Sequence, residues 1–345
     1  MKPNKEVFIK QMPKVELHAH INGSFSNETL EKLSQLKHGT SAKDTEKYNL
    51  FTKLDLHDGF EKFKYAHELT DTPEAVALGT ECVIRDFNDD NVVYLELRST
   101  PRATPKMTKE QYVMAVIDTI IKMKTELPSI MVKLIVSINR RESIESAEEN
   151  GALALKYAKL YPDIVCGVDL SGDPACKEFS DFEPILNKAR ENGLKLALHC
   201  GEIENQVEIS SMLKFGMNRL GHGTYIKGDN EETLLKNNDI ALECCLTSNL
   251  LCGVVKTYSD HHFRRFYKNG HPVVICTDDF GVFSTTLSTE LHIASDTFSL
   301  SSDDLIKLSR MAIHCSFASH DEKQLIHGKI DAYAKSAVGF KVKIH

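Results

Sequence analysis

Eight short runs rich in valine, isoleucine and leucine recur along this 345-residue chain, separated by amphipathic or charged stretches. The runs are Val15–His20, Val92–Thr100, Val132–Asn139, Val165–Ser171, Lys195–His199, Arg219–His222, Ala241–Leu246 and Val273–Thr277. Near-continuous apolar runs of this length suit strands covered on both faces, as in a parallel sheet. The intervening Lys109–Glu126, Ser143–Lys159, Phe182–Asn192 and Glu231–Asn237 can serve as crossover helices. Eight strands alternating with helices predict an α/β fold, a closed (β/α)8 TIM barrel, rather than a sandwich.

One connection is far longer than the rest. About 70 residues separate the first two strands, whereas a βα loop usually takes roughly 2–6. Asn27–Leu36, Glu61–Leu69 and Pro73–Asn88 read as helices, so a helical insertion is expected over about 24–90. It is either a peripheral decoration or a lid over the barrel mouth. Residues 1–345 are expected to form one hydrolase barrel domain carrying this insertion. The tail after Asp279 is helical in pattern, notably Leu305–Phe317.

Polar signatures sit where the strand-like runs end. They are His18-Ala19-His20, Ser171-Gly172-Asp173, His199-Cys200-Gly201-Glu202, Gly221-His222-Gly223 and Asp278-Asp279. His18 and His20 lie two apart, so a strand turns both to one face. In a barrel that face is the interior, at the C-terminal mouth where active sites form. Three or four nitrogen donors and a carboxylate suit a divalent metal of the zinc kind. Glu202, three residues beyond His199, suits a proton carrier beside that metal. Each signature alone has a bland reading: solvated histidines, a plain Gly-His-Gly turn, two aspartates at a helix start. Their joint occurrence at the ends of strands one, five, six and eight points to metal-assisted hydrolysis.

Composition narrows the partners. The net charge is -7 and no basic run stands out, so a nucleic-acid polymer is not expected. No stretch approaches the roughly 18 apolar residues needed to span a membrane, and Met1 to Lys10 lacks an apolar signal core. Nine cysteines without a Cys-x-x-Cys pair suit reduced thiols in a cytoplasmic protein. A monomer is expected, with no membrane partner. Thr100 and Arg102 follow the second strand at the same mouth. A hydroxyl plus a guanidinium suits a phosphate monoester, although Arg102 could instead pair with a surface carboxylate. Lys14, Arg140 and Arg141 are further cations near strand ends.

These motifs, in this order, resemble the adenosine deaminase family of metal-dependent hydrolases, from Pro13 to about Phe317. The resemblance implies a (β/α)8 barrel with one zinc ion per chain, bound by His18, His20, His199 and Asp278. It implies Glu202 as the proton donor, and His222 and Asp279 as the residues that orient the attacking water. Gly172 would offer its backbone amide to the purine. The chain is similar in particular to the adenosine-deaminase-like subgroup that acts on N6-methyl-AMP. That likeness rests on Pro13-Lys14-Val15-Glu16-Leu17-His18-Ala19-His20-Ile21-Asn22-Gly23-Ser24 and on Tyr94-Leu95-Glu96-Leu97-Arg98-Ser99-Thr100-Pro101-Arg102. Leu246-Thr247-Ser248-Asn249 and Ile275-Cys276-Thr277-Asp278-Asp279 continue it.

The subgroup likeness implies substrate contacts at His20, Asn22, His67, Ser99, Thr100, Pro101, Arg102, Asn139, Gly172 and Asp279. The subgroup often has an aspartate where Asn139 stands, and the residues between His199 and Glu202 vary. The implied reaction converts N6-methyl-AMP to IMP and methylamine. The alternatives are an adenosine deaminase acting on the nucleoside and a non-catalytic purine-binding barrel. Loss of a ligand or of Glu202 would favour the last, and all are present. The smaller His-x-Glu, Pro-Cys-x-x-Cys zinc-deaminase design does not match, because no such cysteine pair occurs.

Overall fold

The computed structural model describes residues 5–39 and 56–339; residues 40–55, within the expected insertion, lie outside the described residues. Eight strands run in sequence order, β1 to β8, as Lys14–His20, Val92–Ser99, Met131–Asn139, Val165–Ser171, Lys195–Cys200, Arg219–His222, Ala241–Cys244 and Val273–Ile275. Every neighbouring pair is parallel. The circle closes where Ala19 bridges Asp278 in parallel. There His20 N donates to Asp278 O at 3.0 Å and Asp278 N donates to His18 O at 2.8 Å. The fold is a (β/α)8 barrel, and its seam is made by residues of the expected metal site.

The alternation along each strand explains the two faces. Val15, Leu17 and Ala19 of β1 are buried with Val93, Leu95 and Leu97 of β2. Between them in sequence stand Glu16, His18 and His20 of β1, and Glu96 and Arg98 of β2. Arg98 contacts Glu243 of β7, and Glu96 contacts Arg219 of β6. Side chains from strands this far apart in the circle meet only in the lumen, so this alternate set points inward. The lumen floor is therefore ionic. Arg219 pairs with Glu96 at 2.5 Å and Glu243 at 2.6 Å, and Arg98 pairs with Glu243 at 2.5 Å. All four are fully buried. Most barrels fill this layer with branched apolar side chains.

Helices follow the strands where the sequence places them. Lys109–Glu126 begins at Thr108 with a full capping box, and Ile144–Leu160 begins at Ser143, whose side chain accepts from Ser146 N. The Leu305–Phe317 pattern becomes Ser302–Cys315, capped by Ser301. Between β1 and β2 stand helices Asn27–His38, Leu56–Leu69 and Pro73–Asp89. The Leu56–Leu69 helix touches both the Asn22–Ser24 turn after β1 and, through Lys62 Nζ to Gly281 O at 3.1 Å, the segment after β8. This helix thus rests against the mouth. All nine cysteines are free thiols. Among the described residues no helix is long and apolar enough to cross a membrane.

Candidate active site

Strand register brings the signatures to one level. His20 pairs with Arg98, Asn139 with Ser171, and Cys200 with His222. Each marks the last residues of a parallel strand, so their side chains ring the C-terminal mouth.

At the centre, four donors face each other. His18 Nε2 and His20 Nε2 lie 3.3 and 3.4 Å from Asp278 Oδ1, and His20 Nε2 lies 3.2 Å from His199 Nε2. The His18 and His199 ring centroids are 4.6 Å apart. His18 Nε2 is buried with no hydrogen-bond partner. A buried imidazole nitrogen left bare among other donors is what a divalent cation would satisfy. His18, His199, His222 and Asp278, all buried, form a four-donor group whose ligand atoms lie within 4.8 Å of one another. It contains His222 where the sequence reading has His20; both rings border the same gap.

The far nitrogens of two of these rings are anchored. His18 Nδ1 donates to Glu243 Oε2 at 2.7 Å, and His199 Nδ1 donates to Asp169 Oδ1 at 2.8 Å. Each bond fixes the tautomer that leaves Nε2 free for a metal. Asp278 is held by Ser248 Oγ, which donates to its Oδ2 at 2.7 Å. Asp169, Glu243 and Ser248 were not singled out in the sequence. For the two carboxylates a signal existed: each is an acidic residue on the inward register of an apolar strand.

Electrostatics sets the three carboxylates apart. Burial and the facing charge of Asp278 push Asp279 well above the usual carboxylate range. For Asp278 burial acts upward, but the surrounding imidazoles outweigh it and hold the group well below its usual value. Glu202 is raised by burial and by Asp278. Its side chain is 28% exposed, with Oε1 3.8 Å from His222 Nε2. A carboxyl with a raised pKa at the edge of the gap suits a proton donor.

Two glycines make room for this geometry. A Cβ on Gly23 would lie 1.6 Å from Asp279 Oδ1. Gly172 has φ +89°, and a Cβ there would lie 2.2 Å from Asn139 Oδ1. Only glycine lets these backbones approach so closely.

The expected substrate contacts form the rim. Tyr112 Oη lies 2.5 Å from Ser99 Oγ and donates to Asn22 Oδ1 at 3.2 Å, which ties the turn after β1 to the end of β2. Pro101 is buried, Thr100 is half-buried and the His67 side chain is exposed. Among the described residues Arg102 pairs with no carboxylate. Its NH2 donates to His67 O at 2.9 Å and Thr70 O at 2.5 Å, at the end of the Leu56–Leu69 helix. Arg102 Nε is buried without a partner. Arg140 is spent on Glu208, and Lys14 on the carbonyls of Ile9, Lys10 and Met12. Of the sequence-predicted cations near strand ends, Arg102 thus keeps an unpaired buried donor.

A (β/α)8 barrel with imidazoles and an aspartate gathered at its C-terminal mouth defines a class of barrel hydrolase built around a metal site. The adenosine deaminase family model matches residues 13–333, and the chain belongs to that family. It is 46% identical to the adenosine deaminase-like protein of Drosophila melanogaster over 95% of this chain and 98% of that one. It is 40% identical to the N6-methyl-AMP deaminase of Homo sapiens, over 95% of each chain. A crystal structure of Arabidopsis ADAL complexed with IMP superposes with a TM-score of 0.87 at 38% identity, covering 96% of this chain and 99% of that one.

Proposed function

We propose that this protein is a zinc-dependent hydrolase that takes N6-methyl-AMP and water to IMP and methylamine. The observation that carries the reading is the convergence of His18, His20, His199 and Asp278 on one gap, with Glu202, its pKa raised by burial, at the edge. The relatives named as N6-methyl-AMP deaminases and the IMP-bound neighbour support the choice of substrate.

His18, His20, His199 and Asp278 would hold the zinc, which when bound lowers the pKa of a water toward neutrality. Asp279 and His222 aim the attacking oxygen at purine C6. Glu202 donates its proton to ring N1, which removes aromatic resistance to attack. The C6–N6 bond then breaks, methylamine leaves with a proton, and the water oxygen remains at C6. Gly172 offers its backbone N–H to the purine. Asn22, His67, Asn139 and the Ser99-Thr100-Pro101-Arg102 turn seat the ribose phosphate.

A second reading, the nucleoside adenosine, shares the catalytic set. It is favoured by the engagement of Arg102 NH2 with helix carbonyls. The unpaired Arg102 Nε favours the nucleotide, because a phosphate oxygen would complete it.

The test is Glu202→Gln. It removes a transferable proton but no metal donor. Zinc content should stay at one per chain while kcat for N6-methyl-AMP falls by about 10⁴-fold or more, at or above the upper end for general acid catalysis. Turnover within a few-fold of wild type would overturn the assignment.

A further inference from the structure

A second cluster of titratable side chains lies behind the site. Cys244, His261 and His262 are buried with donor atoms within 4.8 Å of one another. They do not form a metal site, because the imidazoles are already committed. Phe263 N donates to His261 Nδ1 at 3.0 Å, and His261 Nε2 contacts Asn249 Oδ1 at 3.0 Å. His262 Nε2 contacts the backbone oxygen of His222 at 2.6 Å. Only Cys244 Sγ and His262 Nδ1 remain, too few for a cation.

What these bonds do is directional. A backbone N–H can only donate, so Phe263 makes His261 Nδ1 an acceptor and leaves the ring proton on Nε2. Burial holds His261 neutral, well below the usual histidine range. His261 Nε2–H therefore requires an acceptor, which sets the Asn249 amide with its oxygen toward His261. Thr224 Oγ1, 3.5 Å away, can donate to that same oxygen. The Asn249 NH2 is then turned to His222 Nδ1, at 3.2 Å. His222 Nδ1 becomes an acceptor, and its proton sits on Nε2. That nitrogen faces two acceptors, Glu202 Oε1 at 3.8 Å and Asp278 Oδ2 at 3.9 Å. Meanwhile His262 Nε2–H secures the carbonyl of a residue held at φ +66°, a costly backbone for a non-glycine residue.

We infer that Asn249, His261 and His262 are positioning residues that fix His222 in its Nε2–H tautomer and hold the turn that aims it. His222 then meets the attacking oxygen as a hydrogen-bond donor and does not remove its proton. The consequence for the reaction rests on the function proposed above, but the tautomer does not.

The test uses zinc-loaded full-length protein with ¹⁵N-labelled histidine. Ring ¹⁵N shifts read the tautomer directly, with His222 assigned by its loss in His222→Gln. Wild type should show a bare Nδ1 and a protonated Nε2 at His222. Asn249→Asp is nearly isosteric but offers no N–H, so His222 Nδ1 should become protonated. Its kcat for N6-methyl-AMP should fall by at least about 100-fold, the low end for a lost proton-handling arrangement, with KM within a few-fold and zinc content unchanged. His261→Gln, which keeps a donor for Asn249, should stay within about 10-fold of wild type in kcat, and His261→Leu should resemble Asn249→Asp. A protonated Nδ1 in wild type, or an unchanged His222 tautomer in Asn249→Asp, overturns the inference. So does equal activity of His261→Gln and His261→Leu. If the protein failed to deaminate N6-methyl-AMP at all, the proposed function would fall while the ¹⁵N spectra still decided the tautomer.

Discussion

The Asp169 carboxylate accepts a hydrogen bond from His199 Nδ1 at 2.8 Å, deep in the lumen, where both groups are buried. It links the ionic floor of the barrel to the metal-facing ring, because Asp169 also lies 3.5 Å from Arg98 NH1. Removing its charge should loosen the His199 ring. We expect Asp169→Asn to weaken zinc affinity by roughly 10–100-fold, the usual cost of losing such a supporting carboxylate. Competition against a chelator of known affinity measures this. Wild-type affinity in the variant would mean that Asp169 serves only the floor.

Gly23 and Asp279 form a second such pair. Any Cβ at residue 23 would overlap the Asp279 carboxyl, and Gly23 O also accepts from Gly281 N and Val282 N at 3.0 Å each. Gly23→Ala should therefore displace Asp279, which the proposed mechanism aims at the reacting carbon. A 1 Å misplacement costs about 100-fold in rate, so kcat should fall by at least that much. Steady-state kinetics on N6-methyl-AMP, with circular dichroism to show retained fold, gives the answer. A near-normal kcat would place Asp279 outside the reacting geometry.

Arg102 divides its guanidinium in this structure. One arm pins the end of the Leu56–Leu69 helix, and its Nε is left buried and unpaired. Arg102→Ala should lower kcat/KM for the nucleotide by about 2–4 kcal/mol, as for a lost charged hydrogen bond. The nucleoside should lose far less. Equal losses on both substrates would assign Arg102 to the helix alone.

Most of the barrel was legible in the sequence because parallel strands buried on both faces leave apolar runs. Val165–Ser171 and Arg219–His222 fall where they were read. The ends slipped where the chain changes element without changing hydrophobicity. Val273–Thr277 stops at Ile275, as Asp278 adopts φ +62° to close the barrel. Ala241–Leu246 stops at Cys244, because Leu246 already starts the Leu246–Leu251 helix. The residues that face the gap were legible from their place at strand ends. Their supports were less so. Glu243 and Arg219 matter only through partners on distant strands. His261 and His262, in an ordinary charged segment, gain meaning only once Asn249 lies beside them. The contact of Arg102 with the carbonyls of residues 67 and 70 was not legible, since no spacing rule links them.

The pH profile follows from Glu202. Burial and Asp278 raise its pKa, and in the proposed mechanism the protonated form is the active one. Activity should be present below that raised value and decline as pH rises through it. The alkaline limb of kcat/KM reports this group in the free enzyme. Glu202→Gln, which cannot lose a proton, should abolish that limb in its residual rate. Persistence of the same limb would assign it to another group.

The most direct test compares N6-methyl-AMP, AMP and adenosine as substrates of the zinc-loaded protein, with IMP and methylamine measured as products of the first. The account predicts that N6-methyl-AMP has the highest kcat/KM, and that adenosine lags it by at least the factor of about 30 that a lost charged phosphate contact of about 2 kcal/mol implies. Preferred turnover of adenosine, or no release of methylamine from N6-methyl-AMP, would contradict it.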